Sequence, residues 1–295
     1  MRARFRAVGR VDWEIVREGR HDIVKRLKVA ATALAAGALV AVPAITEAVA
    51  QPAQPAQPAQ PAPAPQAATA GPTGVAGKWT KKFADEFGGT KLADTWTPGW
   101  FGSGVTAPIN GDEQACYDSR QVSLPGDGAL HLKASARPST CDGKTKPNTG
   151  SLVNSNGKFH YRYGLVEWRA YIPPSGTRMA NWPALWSNGE NWPTDGENDT
   201  MEGLGGNACF HFHSPSGGPG NCAAGNLTGW HTFASDWEPG SVTYYYDGVK
   251  VGRISSGVTS SPQYLIMNHT VSSALGGPTV LPGDMKVDYV RVWQH

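Results

Sequence analysis

Short segments in which apolar and polar residues alternate recur between residues 129 and 293. Residues 164–170 read Gly-Leu-Val-Glu-Trp-Arg-Ala, and residues 286–293 read Lys-Val-Asp-Tyr-Val-Arg-Val-Trp. Alternation with a period of two is typical of β-strands that bury one face. Another pair of such runs flanks Asp247-Gly248, a dipeptide that favours a tight hairpin turn. Because long helical periodicity is lacking, the sequence predicts an all-β sandwich or jelly roll.

The first 50 residues have the layout of a secretory signal. Three basic residues at positions 25, 26 and 28 precede the apolar run 29–42, and Ala-Val-Ala follows at 48–50. This order predicts cleavage before Gln51. An uncleaved membrane anchor is the alternative, but the Ala and Gly content makes the run only weakly hydrophobic. The segment before position 25 is long for a signal, so we expect translation to start further downstream.

A repetitive tract separates this signal from the rest of the chain. Residues 51–62 repeat Gln-Pro-Ala four times, and Pro-Ala-Pro follows at 63–65. Such a tract lacks the apolar residues of a core and favours an extended spacer. We therefore predict a disordered linker over residues 51–76 and one folded domain over residues 77–295.

The charge of the exported part excludes a nucleic-acid partner. The chain has 26 basic and 24 acidic residues, of which nine and five lie in the first fifty, leaving 17 and 19. The resulting net charge of −2 favours a neutral polymer as partner. We expect a secreted, extracellular, monomeric bacterial protein with no stable membrane association after signal cleavage.

The exported part contains four cysteines, at positions 116, 141, 209 and 222. No two of them form a Cys-x-x-Cys motif, so a zinc site built from them is not expected. Export favours disulfides, and four cysteines allow three pairings. The pairing that joins neighbours in sequence is Cys116 with Cys141 and Cys209 with Cys222.

Three carboxylates are crowded into residues 197–202, Glu-Asn-Asp-Thr-Met-Glu. On a strand, Glu197 and Asp199 share a face, and one extra residue in a β-bulge would bring Glu202 to the same face. Like-charge repulsion makes such a cluster costly, and a fold does not need it. Hydrolysis of a glycosidic bond does need paired carboxyl groups, one as nucleophile and one as proton donor.

These residues resemble glycoside hydrolase family 16, the laminarinase-like glycosidases. The resemblance covers nearly all of residues 80–295 and rests on an ordered series of motifs. The series comprises Phe-Ala-Asp-Glu-Phe at 83–87, Ser-Leu-Val-Asn-Ser-Asn-Gly-Lys-Phe at 151–159, Trp-Pro-Ala-Leu-Trp at 182–186, the acidic motif, Trp-His-Thr-Phe at 230–233 with Asp-Trp at 236–237, and Val-Asp-Tyr-Val-Arg-Val at 287–292. The resemblance implies an all-β jelly-roll sandwich of two antiparallel sheets with a concave substrate cleft.

The resemblance also implies a role for each acid. Glu197 is expected to be the nucleophile, Asp199 its assistant and Glu202 the general acid and base. The negative charges of Glu197 and Asp199 favour the protonated form of Glu202, as a proton donor requires. A nucleophilic carboxylate gives a covalent intermediate, and the product keeps its anomeric configuration.

Asn198 and Thr200 depart from the family, which usually has aliphatic residues at these positions. Both are expected to face the core between the sheets. Buried polar groups need hydrogen-bond partners, so local packing here must differ from that of the relatives.

Aromatic and histidine side chains are the candidate substrate contacts. By resemblance or by nearness to the acids, we expect Trp182, Trp186 and Trp192 to stack on sugar rings and His213 to bind a sugar hydroxyl. Ordinary packing is the alternative for each tryptophan. His211 and His213 form a His-x-His pair, but the sequence shows no third metal ligand beside them.

We expect no cofactor for catalysis, but a structural calcium ion is implied by the resemblance. The matching positions are Glu86, Gly128 and Asp288, in part through backbone oxygens, which are suitable donors for a hard cation. A solvent-exposed strand residue is the alternative for Asp288.

The sequence thus predicts a retaining endo-β-glycanase acting on β-1,3-glucan or β-1,3-1,4-glucan. One alternative is the same family acting on another polysaccharide such as an agarose-type galactan, or acting as a transglycosylase. A second alternative is a non-catalytic β-glucan-binding module. The three acids argue against this second alternative, because binding alone does not need them.

Overall fold

The computed structural model describes residues 71–102 and 104–295. The predicted signal and residues 51–70 of the predicted linker lie outside the described residues. Regular structure in the described ranges is β-strand apart from one 3-10 turn, Ser119–Gln121. None of the helices there is long and apolar enough to span a membrane. Thr73, which falls within the predicted linker, donates its backbone N–H to Oε2 of Glu167 at 2.7 Å.

The strands are numbered in chain order. They are β1 Thr80–Asp85, β2 Thr97–Pro98, β3 Val105–Thr106, β4 Ala115–Asp118, β5 Val122–Ser123, β6 Leu130–Ala134, β7 Ser139–Cys141, β8 Lys144–Lys146, β9 Asn148–Asn154, β10 His160–Tyr161, β11 Gly164–Ile172, β12 Pro174–Ser175, β13 Arg178–Met179, β14 Trp182–Asn188, β15 Glu197–Leu204, β16 Asn207–His213, β17 Gly220–Cys222, β18 Gly229–Glu238, β19 Ser241–Tyr246, β20 Val249–Ile254, β21 Gln263–Thr270 and β22 Gly283–Gln294.

Most of these strands belong to two sheets. Sheet 1 has the order β20-β19-β18-β11-β22-β6-β5, with β1 also paired to β22. Sheet 2 has the order β17-β16-β15-β14-β21-β9-β4-β3, with β10 paired to β21 and β2 to β9. The pairings are antiparallel except that β4 runs parallel to β9. The predicted all-β fold of two sheets is confirmed, with this one parallel pair as the exception.

The main core lies between the two sheets. Sheet 1 contributes large side chains such as Trp168 and Phe233, and sheet 2 contributes Leu185, Met201 and Phe212, all fully buried. Because side chains alternate along a strand, the neighbours of these core residues point to the opposite face of sheet 2. We call that face the outer face, and it carries the acidic motif.

A second apolar cluster lies on the outer face of sheet 2. Buried side chains of β4, β9, β14 and β21 form it, and Trp100 and Ile109 from the chain before β4 pack against them. Part of the outer face is therefore covered by residues outside the sheet.

The hairpin and both disulfides match the sequence predictions. Asp247 and Gly248 have φ angles of +49° and +75°, the left-handed pair that a tight two-residue turn between β19 and β20 requires. Cys116 is bonded to Cys141, and Cys209 is bonded to Cys222. The pairing of sequence neighbours is confirmed.

Candidate active site

A β-bulge in β15 gathers the three acids on the outer face. Asp199 pairs with His211 on β16 and Glu202 pairs with Cys209, so two residues of β15 lie opposite one residue of β16. The register of β15 against β14 shifts at the same place. Thr200 and Met201 both point into the core, and Glu202 returns to the side of Glu197 and Asp199. The predicted bulge is confirmed.

Glu202 is held between a tryptophan and a histidine. Nε1 of Trp182 donates a hydrogen bond to Oε1 of Glu202 at 3.0 Å. Nδ1 of His211 lies 3.5 Å from Oε2 of the same carboxyl group. One oxygen is therefore fixed by a neutral donor, while the other faces a titratable ring.

His213 lies beside the other two acids. Its Nε2 is 3.2 Å from Oδ2 of Asp199 and 4.0 Å from Oε1 of Glu197. The His213 side chain is 36% exposed, so it is open to a ligand on this face. This position agrees with the sugar contact predicted for His213, which stays a prediction.

Burial and mutual repulsion change the proton affinities of the acids. Burial raises the pKa of Glu197 to about 8, and the charge of Asp199 adds to the effect, while His213 opposes it. Burial also raises the pKa of Asp199 well above its ordinary value, with a further contribution from the charge of Glu202. A proton on Asp199 removes the charge that it presents to Glu197, so Glu197 ionises more readily when Asp199 is protonated.

A buried polar layer lies directly behind the acids. Nδ2 of Asn198 donates to Oγ of Ser235 on β18 at 2.9 Å, and the hydroxyl of Thr200 lies 2.7 Å from the same oxygen. The Tyr244 hydroxyl donates to Oδ1 of Asn198 at 2.9 Å, and the Tyr246 hydroxyl donates to the carbonyl oxygen of Thr200. Asn198 and Thr200, the residues expected to depart from the family, are thus hydrogen-bonded to sheet 1.

Comparison with known proteins identifies the family. The family model described as Glycosyl hydrolases family 16 matches residues 110–291. The chain belongs to glycosyl hydrolases family 16.

Several family 16 relatives are similar to this chain. The keratan-sulfate endo-1,4-beta-galactosidase of Sphingobacterium multivorum is 30% identical over 168 residues, which cover 48% of this chain and 39% of that protein. The glucan endo-1,3-beta-glucosidase A1 of Niallia circulans is 29% identical over 266 residues, covering 72% and 37%. This chain therefore spans about two fifths of the length of both relatives. The solved endo-beta-1,3-glucanase of Pyrococcus furiosus is 25% identical with a TM-score of 0.62, over 73% of this chain and 94% of that one.

The three predicted tryptophan contacts have different environments. Trp182 and Trp186 are 7% and 6% exposed, and Nε1 of Trp186 donates to Oδ1 of Asn268 at 2.7 Å. Trp186 therefore belongs to the apolar cluster on the outer face of sheet 2. Trp182 donates its N–H to Glu202. Trp192 is half-buried and its hydrogen bond favours the ionised form of Glu197. The stacking roles stay predictions, and the half-buried ring is the one best placed for them.

Phe101 is a candidate contact that the sequence reasoning missed. It is 61% exposed, and its ring centroid lies 4.5 Å from that of Trp100. Trp100 in turn stacks against Trp186 at 6.0 Å. In the sequence, the one signal that could have pointed to Phe101 was its position next to Trp100.

The two carboxylates predicted to bind calcium already form ion pairs with arginines. Oε2 of Glu86 lies 2.6 Å from Arg291, and Oδ2 of Asp288 lies 2.7 Å from Arg169. Gly128 adopts a φ of +88°. Because each carboxylate is already neutralised by a guanidinium group, the donors fit a cation poorly. The calcium site stays a prediction.

Proposed function

We propose that this chain is a retaining endo-β-glycanase that hydrolyses β-1,3-glucan or β-1,3-1,4-glucan by double displacement. The observation that supports this best is the gathering of Glu197, Asp199 and Glu202 on one face by the bulge in β15. In this proposal Glu202 donates its proton to the leaving glycosidic oxygen while Glu197 attacks the anomeric carbon. Glu202, now ionised, then removes a proton from the water that releases the covalent intermediate.

The surroundings of each acid fit these roles. The N–H of Trp182 holds one oxygen of Glu202, which leaves the other oxygen to carry the proton. Asp199 in its protonated form can donate a hydrogen bond to ionised Glu197. The proton on Asp199 thereby lowers the repulsion that the nucleophile would otherwise meet.

Substrate choice rests on similarity and charge. The named relatives include enzymes for glucan and for keratan sulfate. Among the described residues, the basic groups that form ion pairs with the three acids are the histidines 211 and 213 rather than lysine or arginine. A neutral glucan fits this arrangement better than a sulfated polymer does. A β-galactan remains the second candidate, because the galactosidase is 30% identical.

Export stays part of the proposal. Two disulfides join the four cysteines of the described domain, and such bonds form in oxidising compartments. A secreted monomer predicts activity in the culture medium and a single species of one chain's mass in size-exclusion chromatography.

The test is release of reducing ends by the full chain from laminarin, lichenan, xyloglucan, agarose, carrageenan and keratan sulfate. We expect release from laminarin or lichenan, with loss of at least about a thousandfold in Glu197→Gln and Glu202→Gln. Glu238→Gln, a half-buried acid on sheet 1 that faces Arg253, is the matched control and should keep full activity. Retention is checked by following the anomeric proton signals of the first product. An inverted product would exclude the double displacement.

The same assay separates the alternatives. Longer oligosaccharides seen by mass spectrometry would indicate a transglycosylase. Binding to laminarin without release of reducing ends, in a folded protein, would indicate a glucan-binding module.

A further inference from the structure

Two histidines and one acid converge on the outer face beside the proposed nucleophile. His211 and His213 are alternate residues of β16, so both rings point to this face, and Asp199 is the partner of His211 on β15. One ligand atom from each of the three lies within 4.8 Å of the others. In the described part of the chain this is the one cluster of three or more such groups with that spacing. Sheet pairing thus supplies the third ligand that the His-x-His motif lacked in sequence.

Two polar atoms in this cluster lack a hydrogen-bond partner. Oδ2 of Asp199 and Nδ1 of His211 are both inaccessible to solvent and unpartnered. Asp199 as a whole is only 5% exposed. Nε2 of His213 lies 3.2 Å from this carboxylate oxygen but outside hydrogen-bond geometry. Buried polar atoms are normally satisfied, so these atoms point to a missing ligand.

The histidine rings are held by the backbone of the neighbouring segment. A Cβ atom on Gly220 would lie 1.9 Å from Cδ2 of His211, and one on Gly218 would lie 2.3 Å from Nδ1 of His213. At Gly220 the backbone oxygen of Phe210 lies only 2.3 Å from the same Cβ position, so glycine alone permits this approach to His211. The disulfide between Cys209 and Cys222 joins β16, which carries the two histidines, to β17, which begins at Gly220. The His211 ring is therefore positioned before any ligand arrives.

We propose that Asp199, His211 and His213 form a binding site for a divalent transition-metal ion of the Zn²⁺ class. Two imidazole nitrogens and one carboxylate oxygen are a donor set that zinc, copper and nickel prefer, whereas Ca²⁺ and Mg²⁺ prefer oxygen ligands alone. Three protein ligands leave further coordination positions for water or a sugar hydroxyl. The site is thus of the open type rather than the closed structural type.

Occupation of this site inhibits glycoside hydrolysis, and this part rests on the proposed function. The ion takes the carboxylate of Asp199 away from its partnership with Glu197. It also occupies the outer face beside Glu202, whose Oε2 is 3.5 Å from His211, where the sugar must bind. Inhibition is reversed by a chelator, because no covalent bond changes.

Binding is measured first, without reference to activity. ZnCl₂ is titrated into the chelator-stripped full chain in a calorimeter, and CoCl₂ is added in a parallel sample to record visible absorbance. We expect one ion per chain, and weakening of at least about tenfold in each of His211→Gln, His213→Gln and Asp199→Asn. His160→Gln, a histidine paired with Glu190 outside the cluster, is the matched control and should bind as the wild type does. Equal Zn²⁺ affinity in the His211→Gln/His213→Gln double variant would overturn the site.

Circular dichroism of each metal-free variant shows whether the fold is intact. If a histidine variant does not fold, Asp199→Asn still tests the proposal.

Inhibition is then measured on whichever polysaccharide the chain hydrolyses, with CaCl₂ as the control salt. We expect loss of activity to follow Zn²⁺ occupancy and to return with chelator. Full activity at saturating Zn²⁺ would refute the inhibition and leave the binding site standing. An inactive chain that still binds Zn²⁺ through the cluster would refute the proposed function alone.

Discussion

Trp182 donates its indole N–H to Oε1 of Glu202 at 3.0 Å, although the two residues are 20 positions apart in the chain. The contact exists because β14 and β15 are antiparallel neighbours, with Ala184 opposite Glu202. A tryptophan that resembles a sugar-stacking residue in sequence is thus a partner of the proposed general acid.

Removal of this donor should impair the chemical step. Trp182→Phe keeps most of the ring and loses the N–H, so Glu202 is less well fixed. We expect kcat to fall about tenfold, equivalent to about 1.4 kcal/mol, with KM little changed. Steady-state kinetics on the best substrate measures both. Trp186→Phe loses a similar N–H that is bonded to Asn268 instead, and an equal fall in kcat there would contradict the specific role of Trp182.

The polar layer behind the acids should contribute to stability. Ser235→Ala leaves the Asn198 amide and the Thr200 hydroxyl without their shared partner in a fully buried place. We expect the free energy of unfolding to fall by about 2 kcal/mol, as for other buried groups left unsatisfied. Urea denaturation followed by tryptophan fluorescence gives this value. Ser255→Ala, at an exposed position, should change it little, and equal stability of both variants would contradict the prediction.

His131 should stabilise the fold more at low pH than at high pH. Hydrogen bonds to Asp284 and Asp127 raise its pKa in the folded state above its ordinary value, although burial opposes this. The stabilisation is therefore complete below the unfolded pKa of about 6.5 and is lost as pH rises through the raised folded pKa. We expect His131→Asn to lower the free energy of unfolding by about 2 kcal/mol at pH 5.5 and by clearly less at pH 9.

The check on His131 is urea denaturation of wild type and variant at both pH values. Asp284→Asn removes one of the two carboxylates that contact His131. It should therefore lower the free energy of unfolding by less than His131→Asn does, and again more at pH 5.5 than at pH 9. A difference between wild type and His131→Asn that is constant across this range would contradict the assignment.

Phe101 should contribute to substrate binding rather than to chemistry. Its exposed ring lies beside Trp100, next to the outer-face cluster that includes Trp186. Loss of an aromatic stacking contact is worth about 1 kcal/mol, so we expect Phe101→Ala to raise KM roughly fivefold with kcat unchanged. Val249→Ala removes another exposed apolar side chain, on β20, and should leave KM as it was. A change in kcat with constant KM would contradict the binding role.

Local patterns predicted the parts of this fold that depend on neighbouring residues. The bulge follows from the spacing of three acids in β15, and the hairpin from Asp247-Gly248. Contacts that depend on sheet order could not be predicted in this way. The meeting of Asp199 with His211 requires β16 to pair with β15, and the burial of Trp186 requires the chain around Trp100 to cover the outer face. Alternation tells which face a side chain takes but not what lies above it.

The hydrogen bonds of Asn198 and Thr200 to Ser235 make three positions in two sheets depend on one another during sequence divergence. Aliphatic residues at positions 198 and 200 would leave the Ser235 hydroxyl without these two partners, so the three positions should change together. Replacing one of them with an apolar residue would leave a buried polar group without a hydrogen-bond partner, whereas replacing all three would exchange one self-consistent packing for another. Each single change therefore costs stability that the combined change does not, and the polar packing is inherited as a unit of three residues.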